Sequence, residues 1–506
     1  MELAAQAEGG AQPITTNSKR LICVVHGVGS QTRGEFLSQV VAPLMRLITF
    51  WGNRAAPVVN SVFYEAQIRP ETAPAHASIE FSHGGEREEW TFVEANWAAA
   101  FYAERGIEVL AWGWRMLFES KSMIGKMFVD MKGRNDLPAA DRGYQDAGQG
   151  PGNVYDVLVG IVLGIAWMVV YLVALAAGII FLLLALLPSW LIFPNFARQV
   201  VRGAIEFLVS GVGDMLAMIE NPASLASIVD VMAEAIAPHF EGEPSGWPKN
   251  LVIVAHSGGA TAAFYAVTDK PFWQRVAKTD GPPVTTTLIT AGSSLNFAAR
   301  TWKFGMYASG RPFLWGKQFL EKTRWVDVST RYDPVPHGLP ERAMLASIKG
   351  AADVCVARFV NNDSFLSDHG AYWENYEEFD TRLVYEIMDR EEFGFDRIDF
   401  EAIKRHRRTI GQINGWRVIV GVGLFAALTA WTWLFNGYGV SRAAFDWLGS
   451  LPVFSAAEGV LRLVSSQPAL VFVADLVVLG VAAYALWSLI RIVFAAQLYR
   501  PWTAGP

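Results

Sequence analysis

The segment 251–260, LVIVAHSGGA, combines the apolar pattern of a buried strand with a serine among small residues. A serine presented by a tight strand-to-helix turn needs small residues two positions before and after it, because strand and helix approach closely there. Ala255 and Gly259 occupy those positions, so Ser257 is the candidate nucleophile. We interpret His256 as a supporting residue. A serine followed by two glycines is by itself more often an ordinary loop, so the assignment depends on its partners.

A second glycine-containing loop follows the first apolar run of the chain. The run 21–25, LICVV, leads into the sequence HGVGSQ. Attack on a carbonyl group builds negative charge on its oxygen, and backbone N–H groups from a glycine-rich loop can stabilise that charge. We therefore predict an oxyanion hole formed by Gly258 together with Gly27 or Val28, with His26 as a structural residue. An ordinary turn after a strand is the alternative.

Two later strand patterns are each followed by a residue that could complete a catalytic triad. Asp333 follows the run WVDVS, and His369 follows the last strand candidate, VCVARFV. A carboxylate at a strand end can orient an imidazole, which then removes the proton from a serine. An ordinary Asp-Pro turn at Asp333 is the alternative. Asp327, inside its strand, is a weaker alternative for the acid. His337, four residues after Asp333, is the alternative for the base.

The elements that must position these residues follow an α/β pattern. The sequence predicts a helix at 36–50 and a strand near 58–64, followed by a hairpin. Further buried strands are predicted at 251–255 and 287–291, where short apolar runs are separated by helical or loop sequence.

In the order Ser257, Asp333, His369, with each residue after a strand candidate, the chain resembles the α/β-hydrolase superfamily. The resemblance is to its lipase-like and esterase-like members. It is also carried by the HG-containing loop, by the Gly-Ser-Ser-Leu sequence at 292–295, by an Asp-Pro-Val loop and by the segment HGAYW.

The resemblance covers about 1–130 and 245–385 of the sequence. It implies an α/β-hydrolase fold, in which helices flank a mostly parallel sheet. It also implies a Ser-His-Asp mechanism with an acyl-enzyme intermediate, with no metal and no cofactor. The substrate is left open.

The composition indicates that part of the chain lies in a membrane. Hydrophobic residues make up 52% of the sequence and charged residues 18%. The stretch 157–193 has no charged residue and exceeds the roughly 20 residues that one membrane-spanning helix requires. The stretches 418–435 and 469–490 are candidates for single spans, and Asp475 weakens the second of them. Because the two halves of the hydrolase domain must lie on the same side of the bilayer, the stretch 157–193 must begin and end on that side, or a later segment must cross back. It could form two short spans, a re-entrant hairpin, or one span followed by a second crossing at 200–219.

The charges near the C-terminal candidate spans predict their orientation. The basic sequence KRHRR at 404–408 precedes this hairpin, and Arg491 and Arg500 follow it. Since positive residues favour cytoplasmic ends, we expect a multi-pass protein of a cytoplasm-facing membrane, such as the bacterial inner membrane, with a cytoplasmic hydrolase domain. Arg442 and Arg462 in the intervening loop make the bias moderate.

These observations divide the chain into five parts. They are a flexible N-terminus (1–20), the first part of the hydrolase domain (21–150), a membrane-associated helical insertion (151–220), the second part with the catalytic residues (221–405), and a C-terminal transmembrane hairpin (406–506).

The predicted function is that of a membrane-anchored serine hydrolase. It would act on a carboxylic ester, with the lipid bilayer and an ester or lipid substrate as its partners. A net charge of −6 gives no electrostatic basis for binding nucleic acid. Neither a C-x-x-C pair nor an H-E-x-x-H helix is present, so we expect no metal site. The alternative is a non-catalytic, hydrolase-like scaffold that binds a membrane partner.

Overall fold

In the computed structural model of this chain, the described residues form an eight-stranded sheet that is mostly parallel and flanked by helices. Its strands are β1 (Asn17–Val25), β2 (Phe63–Arg69), β3 (His76–His83), β4 (Glu86–Ala95), β5 (Asn250–His256), β6 (Thr285–Ala291), β7 (Thr323–Thr330) and β8 (Cys355–Phe359). They are ordered β2-β3-β4-β1-β5-β6-β7-β8 across the sheet. The predicted α/β class is confirmed at this level.

The structure describes residues 17–29, 31–53, 63–83, 86–98, 100, 214, 217–219, 221–296, 298, 321–330, 333, 335–336, 355–359, 368–388 and 423. The chain separates into two units, 1–406 and 407–506, and only Gly423 is described in the second.

Within the described ranges the α-helices are α1 (Glu35–Asn53), α2 (Pro222–Ile236), α3 (Ser257–Val267), α4 (Lys270–Ala277) and α5 (Thr381–Ile387). Short 3₁₀ turns occur at Ala237–Phe240, Pro244–Gly246, Asp368–Gly370 and Tyr372–Glu374, and a π turn at Tyr376–Asp380.

The central strands bring the candidate functional loops to one edge of the sheet. β1 pairs with β5 in parallel, with Val25 opposite Ala255, and β5, β6, β7 and β8 also pair in parallel. Parallel strands are buried on both faces, so their sequences are continuous apolar runs, as those of β1 and β5 are. The loops after these strands therefore all leave the sheet at its carboxyl edge.

The strands β2, β3 and β4 form an antiparallel meander at one end of the sheet. The predicted hairpin corresponds to β3 and β4. The structure describes β2 from Phe63 onward, so only the last two residues of the predicted strand at 58–64 lie among the described residues. The side chains of Glu65, Gln67 and Arg69 are exposed, as expected of an edge strand that needs few apolar residues.

The side chain of Glu94 fixes α1 against the sheet. Its carboxylate accepts hydrogen bonds from the backbone N–H groups of Gly34, at 2.5 Å, and Leu37, at 3.3 Å. These groups lie at the N-terminus of the helix, where backbone donors lack partners within the helix and where negative charge is favourable. Glu94 thereby holds the helix that follows the loop after β1.

The predicted membrane spans lie almost entirely outside the described residues. Of 157–193 and 469–490 nothing is described, and of 418–435 only Gly423. Of the alternative span 200–219, residues 214 and 217–219 are described, and Met218 is buried in the hydrophobic core of the protein. Among the helices that the structure does describe, none has both the length and the apolar character to cross a bilayer.

The buried carboxyl group of Asp327 predicts a pH-dependent stability. Asp327 lies in β7 with 2% of its surface exposed, and its carboxyl group accepts a hydrogen bond from the Thr290 hydroxyl at 2.6 Å. Burial raises the pKa of Asp327 to about 7, against the hydrogen bond, which lowers it. The neutral form is therefore favoured in the folded protein, and ionisation destabilises the fold increasingly as the pH rises from about 4 to about 7.

We expect Asp327→Asn to raise the melting temperature at pH 8 by about 5 °C and to change it little at pH 4. Thermal unfolding followed by circular dichroism at both pH values tests this. A shift of equal size at both would contradict the assigned cause.

Candidate active site

Ser257 lies in the tight turn between β5 and α3, with no residue between the two elements. Its φ is +52°, a left-handed conformation that costs a non-glycine residue about 1–3 kcal/mol. Such strain is retained where the surrounding structure imposes it, and it concentrates at functional sites. The serine of the HSGG motif therefore has the backbone conformation that a nucleophile in a strand-to-helix turn requires.

The small residue two positions after Ser257 permits a close backbone approach. A Cβ atom at Gly259 would overlap the carbonyl oxygen of His26 and lie 2.9 Å from that of Val25. The first turn of α3 thus packs directly on the end of β1. This is the physical reason why the sequence requires glycine there.

The strained turn is held by residues that follow β6. The backbone N–H and the hydroxyl of Ser294 both donate to the carbonyl oxygen of Ser257, at 3.3 Å and 3.0 Å. The hydroxyls of Thr261 and Ser294 lie 2.7 Å apart. Since Ser294 donates to Ser257, Thr261 donates to Ser294. In the sequence, residues 292–295 were noted only as part of the resemblance, and this contact with the serine turn was not predicted.

Asp333 and His369 are in direct contact. Nδ1 of His369 lies 2.9 Å and 3.0 Å from the two carboxylate oxygens of Asp333. The carboxylate also accepts hydrogen bonds from the Tyr372 hydroxyl, at 2.6 Å, and from the Val335 N–H, at 2.9 Å. Nδ1 therefore carries a proton, which leaves Nε2 as the atom of the ring that can accept one.

The environment of Asp333 keeps its carboxylate charged. Burial alone raises the pKa of this carboxyl, but the charge of His369 and the hydrogen bonds from His369, Tyr372 and Val335 outweigh it. The net effect is a pKa below the usual value. A buried, ionised carboxylate can orient an imidazole and stabilise the imidazolium that forms during acyl transfer.

Gly292 and Tyr372 shape the space around this acid–base pair. Gly292, directly after β6, has φ +58°, and a Cβ atom there would lie 2.7 Å from Oδ2 of Asp333 and 3.0 Å from Nδ1 of His369. The Tyr372 hydroxyl donates to Asp333 and accepts from the Thr330 N–H at 3.1 Å. Tyr372 thereby ties the acid to the end of β7.

The loop after β1 packs on the serine turn. A Cβ atom at Gly27 would lie 2.8 Å from the Cβ of Ser257 and 3.2 Å from Nδ1 of His256. The N–H of Gly258 is in the first turn of α3, where backbone donors have no partner within the helix. The predicted donors Gly27, Val28 and Gly258 thus lie in two segments that touch at Ser257.

His26 orients the peptide between Gly27 and Val28. Nε2 of His26 accepts the N–H of Trp97 at 3.0 Å, so Nδ1 carries the proton and donates to the carbonyl oxygen of Gly27 at 2.7 Å. Burial lowers the pKa of His26, which favours this neutral form. Because a trans amide directs N–H opposite to C=O, the Val28 N–H points away from His26. His26 is a structural residue of the loop, as the sequence suggested.

Asp214, which belongs to none of the motifs found in the sequence, binds the loop after β1. One oxygen of its carboxylate accepts the N–H of Gly29 at 2.9 Å. Gly29 has φ +110°, a conformation suited to glycine. Nothing in the sequence pattern around Asp214 signals this contact across 185 residues.

The serine and the acid–base pair are linked through His256. Its ring packs against the ring of His369, with 4.6 Å between the centroids. Among the described residues, no hydrogen bond joins the Ser257 hydroxyl to the His369 ring, a bond that in enzymes without substrate is often long or poorly aligned. The alternative base His337 lies outside the described residues, and the alternative acid Asp327 bonds to Thr290 within the sheet.

Neither a cysteine nucleophile nor a metal cluster is found in the described ranges. Burial raises the pKa of the Cys23 thiol, inside β1, to about 12, which excludes it as a nucleophile at neutral pH. No group of three or more His, Cys, Asp or Glu side chains within those ranges is arranged to hold a metal ion.

Comparison with known proteins adds no relative: no protein-family model, curated protein or solved structure matches this chain.

Proposed function

We propose that the chain is a serine hydrolase of the α/β-hydrolase type that cleaves carboxylic esters. The observation that carries the proposal is the left-handed conformation of Ser257 in the turn from β5 to α3, near the hydrogen-bonded pair of a buried Asp333 and a partly exposed His369. A strained serine at this point of a parallel sheet has little use in an ordinary turn, where glycine would adopt φ +52° at lower cost.

The first half of the reaction forms an acyl-enzyme. Nε2 of His369 removes the hydroxyl proton of Ser257 as its oxygen attacks the ester carbonyl. Asp333 keeps Nδ1 protonated and stabilises the resulting imidazolium. The negative charge on the carbonyl oxygen is met by the N–H of Gly258 and by that of Gly27 or Val28. The tetrahedral intermediate collapses, and His369 returns its proton to the leaving alcohol.

The second half releases the acid by the same groups. A water molecule gives a proton to His369 and attacks the acyl carbon, and the same N–H groups stabilise the second oxyanion. The bond from the acyl carbon to Ser257 then breaks, and the proton on His369 passes to the serine oxygen. The enzyme returns to its starting state, and no redox change or cofactor enters the balance.

The topology supports the α/β-hydrolase type. The strand before the glycine loop, β1, is the direct parallel neighbour of the strand before the nucleophile, β5. The acid follows β7 and the histidine follows β8, which are the next parallel strands beyond β6. The order nucleophile, acid, histidine is that of the superfamily which the sequence resembles.

A lipid ester is the substrate class that the apolar segments favour. The uncharged stretch 157–193 and the stretches 418–435 and 469–490 would hold the chain in a cytoplasm-facing membrane, with the hydrolase part on the cytoplasmic side. Anchoring to a bilayer raises the effective concentration of substrates in that bilayer.

The proposal is tested by labelling with a fluorophosphonate, which reacts covalently with activated serines. We expect one labelled band of the full-length protein in the membrane pellet, and its complete loss in Ser257→Ala. Ser227→Ala, on the surface of α2, is the matched control and should label like wild type. Thermal unfolding of all three proteins verifies that they are folded.

Two results would overturn the proposal. A folded wild-type protein that does not react at all favours the non-catalytic scaffold. Equal labelling of wild type and Ser257→Ala means that another residue reacts.

A further inference from the structure

The ring of His256 is packed against that of the general base. The centroids of the His256 and His369 rings are 4.6 Å apart and the ring planes are tilted by 31°. Nε2 of His256 lies 2.7 Å from the backbone carbonyl oxygen of His369. A carbonyl oxygen only accepts hydrogen bonds, so Nε2 of His256 carries a proton and donates it. His256, the residue before the proposed nucleophile, therefore holds the backbone of His369 by a hydrogen bond.

The surroundings of His256 keep it neutral. It is buried among the rings of Phe36, Tyr372 and Trp373, with centroids 6.1 Å, 6.0 Å and 5.8 Å away. Burial, and next the charge of His369, lower the pKa of His256 to about 3. His256 therefore adds no positive charge beside His369 when that ring takes up the serine proton. A charged neighbour at this distance would oppose that step.

His256 lies at the point in the chain where the central strand meets the candidate nucleophile. His256 is the last residue of β5 and is bonded directly to Ser257. His369 belongs to a three-residue 3₁₀ turn, Asp368–Gly370, which has little internal structure to fix it. The hydrogen bond from His256 thus connects the rigid central strand to the turn that carries the base.

We propose that His256 is a positioning residue, whose Nε2–H sets the distance between the His369 imidazole and the Ser257 hydroxyl by holding the His369 carbonyl. This inference rests on the proposed function, since it assigns a partner to the same base. In this role His256 exchanges no proton with the substrate or with Ser257. Its effect is on the geometry of proton transfer, to which acyl transfer is sensitive at the level of 1 Å.

Two amide replacements of similar polarity separate positioning from simple packing. In His256→Gln the amide nitrogen can occupy the place of Nε2 and donate to the His369 carbonyl. In His256→Asn the shorter side chain puts the amide at the place of Nδ1, out of reach. We expect the Gln variant to keep the fluorophosphonate labelling rate within about 3-fold of wild type, and the Asn variant to lose about 100-fold.

The same comparison is made with a small soluble ester. We expect kcat of the Asn variant to fall by about 100-fold while KM stays within about 2-fold, because substrate binding is not altered. A merely structural role would lower the melting temperature and the active fraction, and leave kcat per folded molecule unchanged. If the Asn variant does not fold, His256→Phe, which keeps a ring but has no N–H, replaces it in the comparison.

The outcomes separate this inference from the proposed function. If wild type is labelled at Ser257, but the folded variants without the donor react as fast as the Gln variant, the positioning role is wrong and the hydrolase remains. If wild type is not labelled, the proposed function itself fails. A rate that follows the presence of the donor supports both.

Discussion

Replacing Asp333 by asparagine should lower kcat for ester hydrolysis by about 10³–10⁴-fold. Tyr372 donates to Oδ2 and Val335 to Oδ1, so the amide oxygen of the new side chain could keep only one of these hydrogen bonds. The NH₂ group would take the place of the other oxygen and face Nδ1 of His369. That arrangement favours the tautomer with the proton on Nε2, which cannot accept the Ser257 proton. The variant also lacks the negative charge that stabilises the imidazolium. Steady-state hydrolysis of a p-nitrophenyl ester measures the effect.

The matched control is Asp327→Asn, which removes the other buried carboxylate of the same strand region. Asp327 bonds to Thr290 and not to a histidine, so kcat should stay within about 2-fold of wild type. Activity lost in Asp327→Asn and retained in Asp333→Asn would assign the acid to Asp327.

Replacing Gly292 by alanine should reduce kcat by about 100-fold, although residue 292 carries no reactive group. The added methyl group would meet Oδ2 of Asp333 at 2.7 Å, and Nδ1 of His369 and a ring carbon of Tyr372 at 3.0 Å each. Real Cβ contacts are longer than this, so the acid–base pair must shift. Because proton transfer depends on alignment within about 1 Å, the chemical step slows while KM is little changed.

Gly242→Ala separates this displacement from backbone strain. Gly242 also has a positive φ, +82°, but a Cβ atom there would meet nothing within 4 Å. Both variants should lose about 1 kcal/mol of stability from the left-handed conformation, and only Gly292→Ala should lose activity. Equal kcat values for the two folded variants would show that the acid–base pair tolerates the methyl group.

The sheet was predictable because its central strands are short apolar runs. Runs such as LICVV and LVIVA correspond to β1 and β5, whose residues are buried on both faces. Since parallel strands share a carboxyl edge, residues that directly follow them were expected to meet. Asp333 and His369 do so across 36 residues of sequence.

Other contacts had no signal in the sequence. β2 gave a weak signal because an edge strand alternates exposed and half-buried residues, and the prediction at 58–64 overlaps only its first two described residues. The partner of the Tyr372 hydroxyl depends on how a 3₁₀ turn is placed against β7. The Asp214 contact with Gly29 joins segments far apart in sequence, and a lone aspartate gives no sign of such a partner.

The pairing of β1 with β5 has a consequence for synthesis of the chain on the ribosome. Arg20 pairs with Asn250, 230 residues later, and the whole apolar stretch 157–193 is translated in between. At about 5–20 residues per second, β1 waits roughly 10–50 s for its neighbour. Throughout that delay one side of an apolar strand has unpaired N–H and C=O groups, which are a template for aggregation with other nascent chains. Early handover of the emerging polypeptide to a chaperone or to the membrane-insertion machinery would shield that open edge.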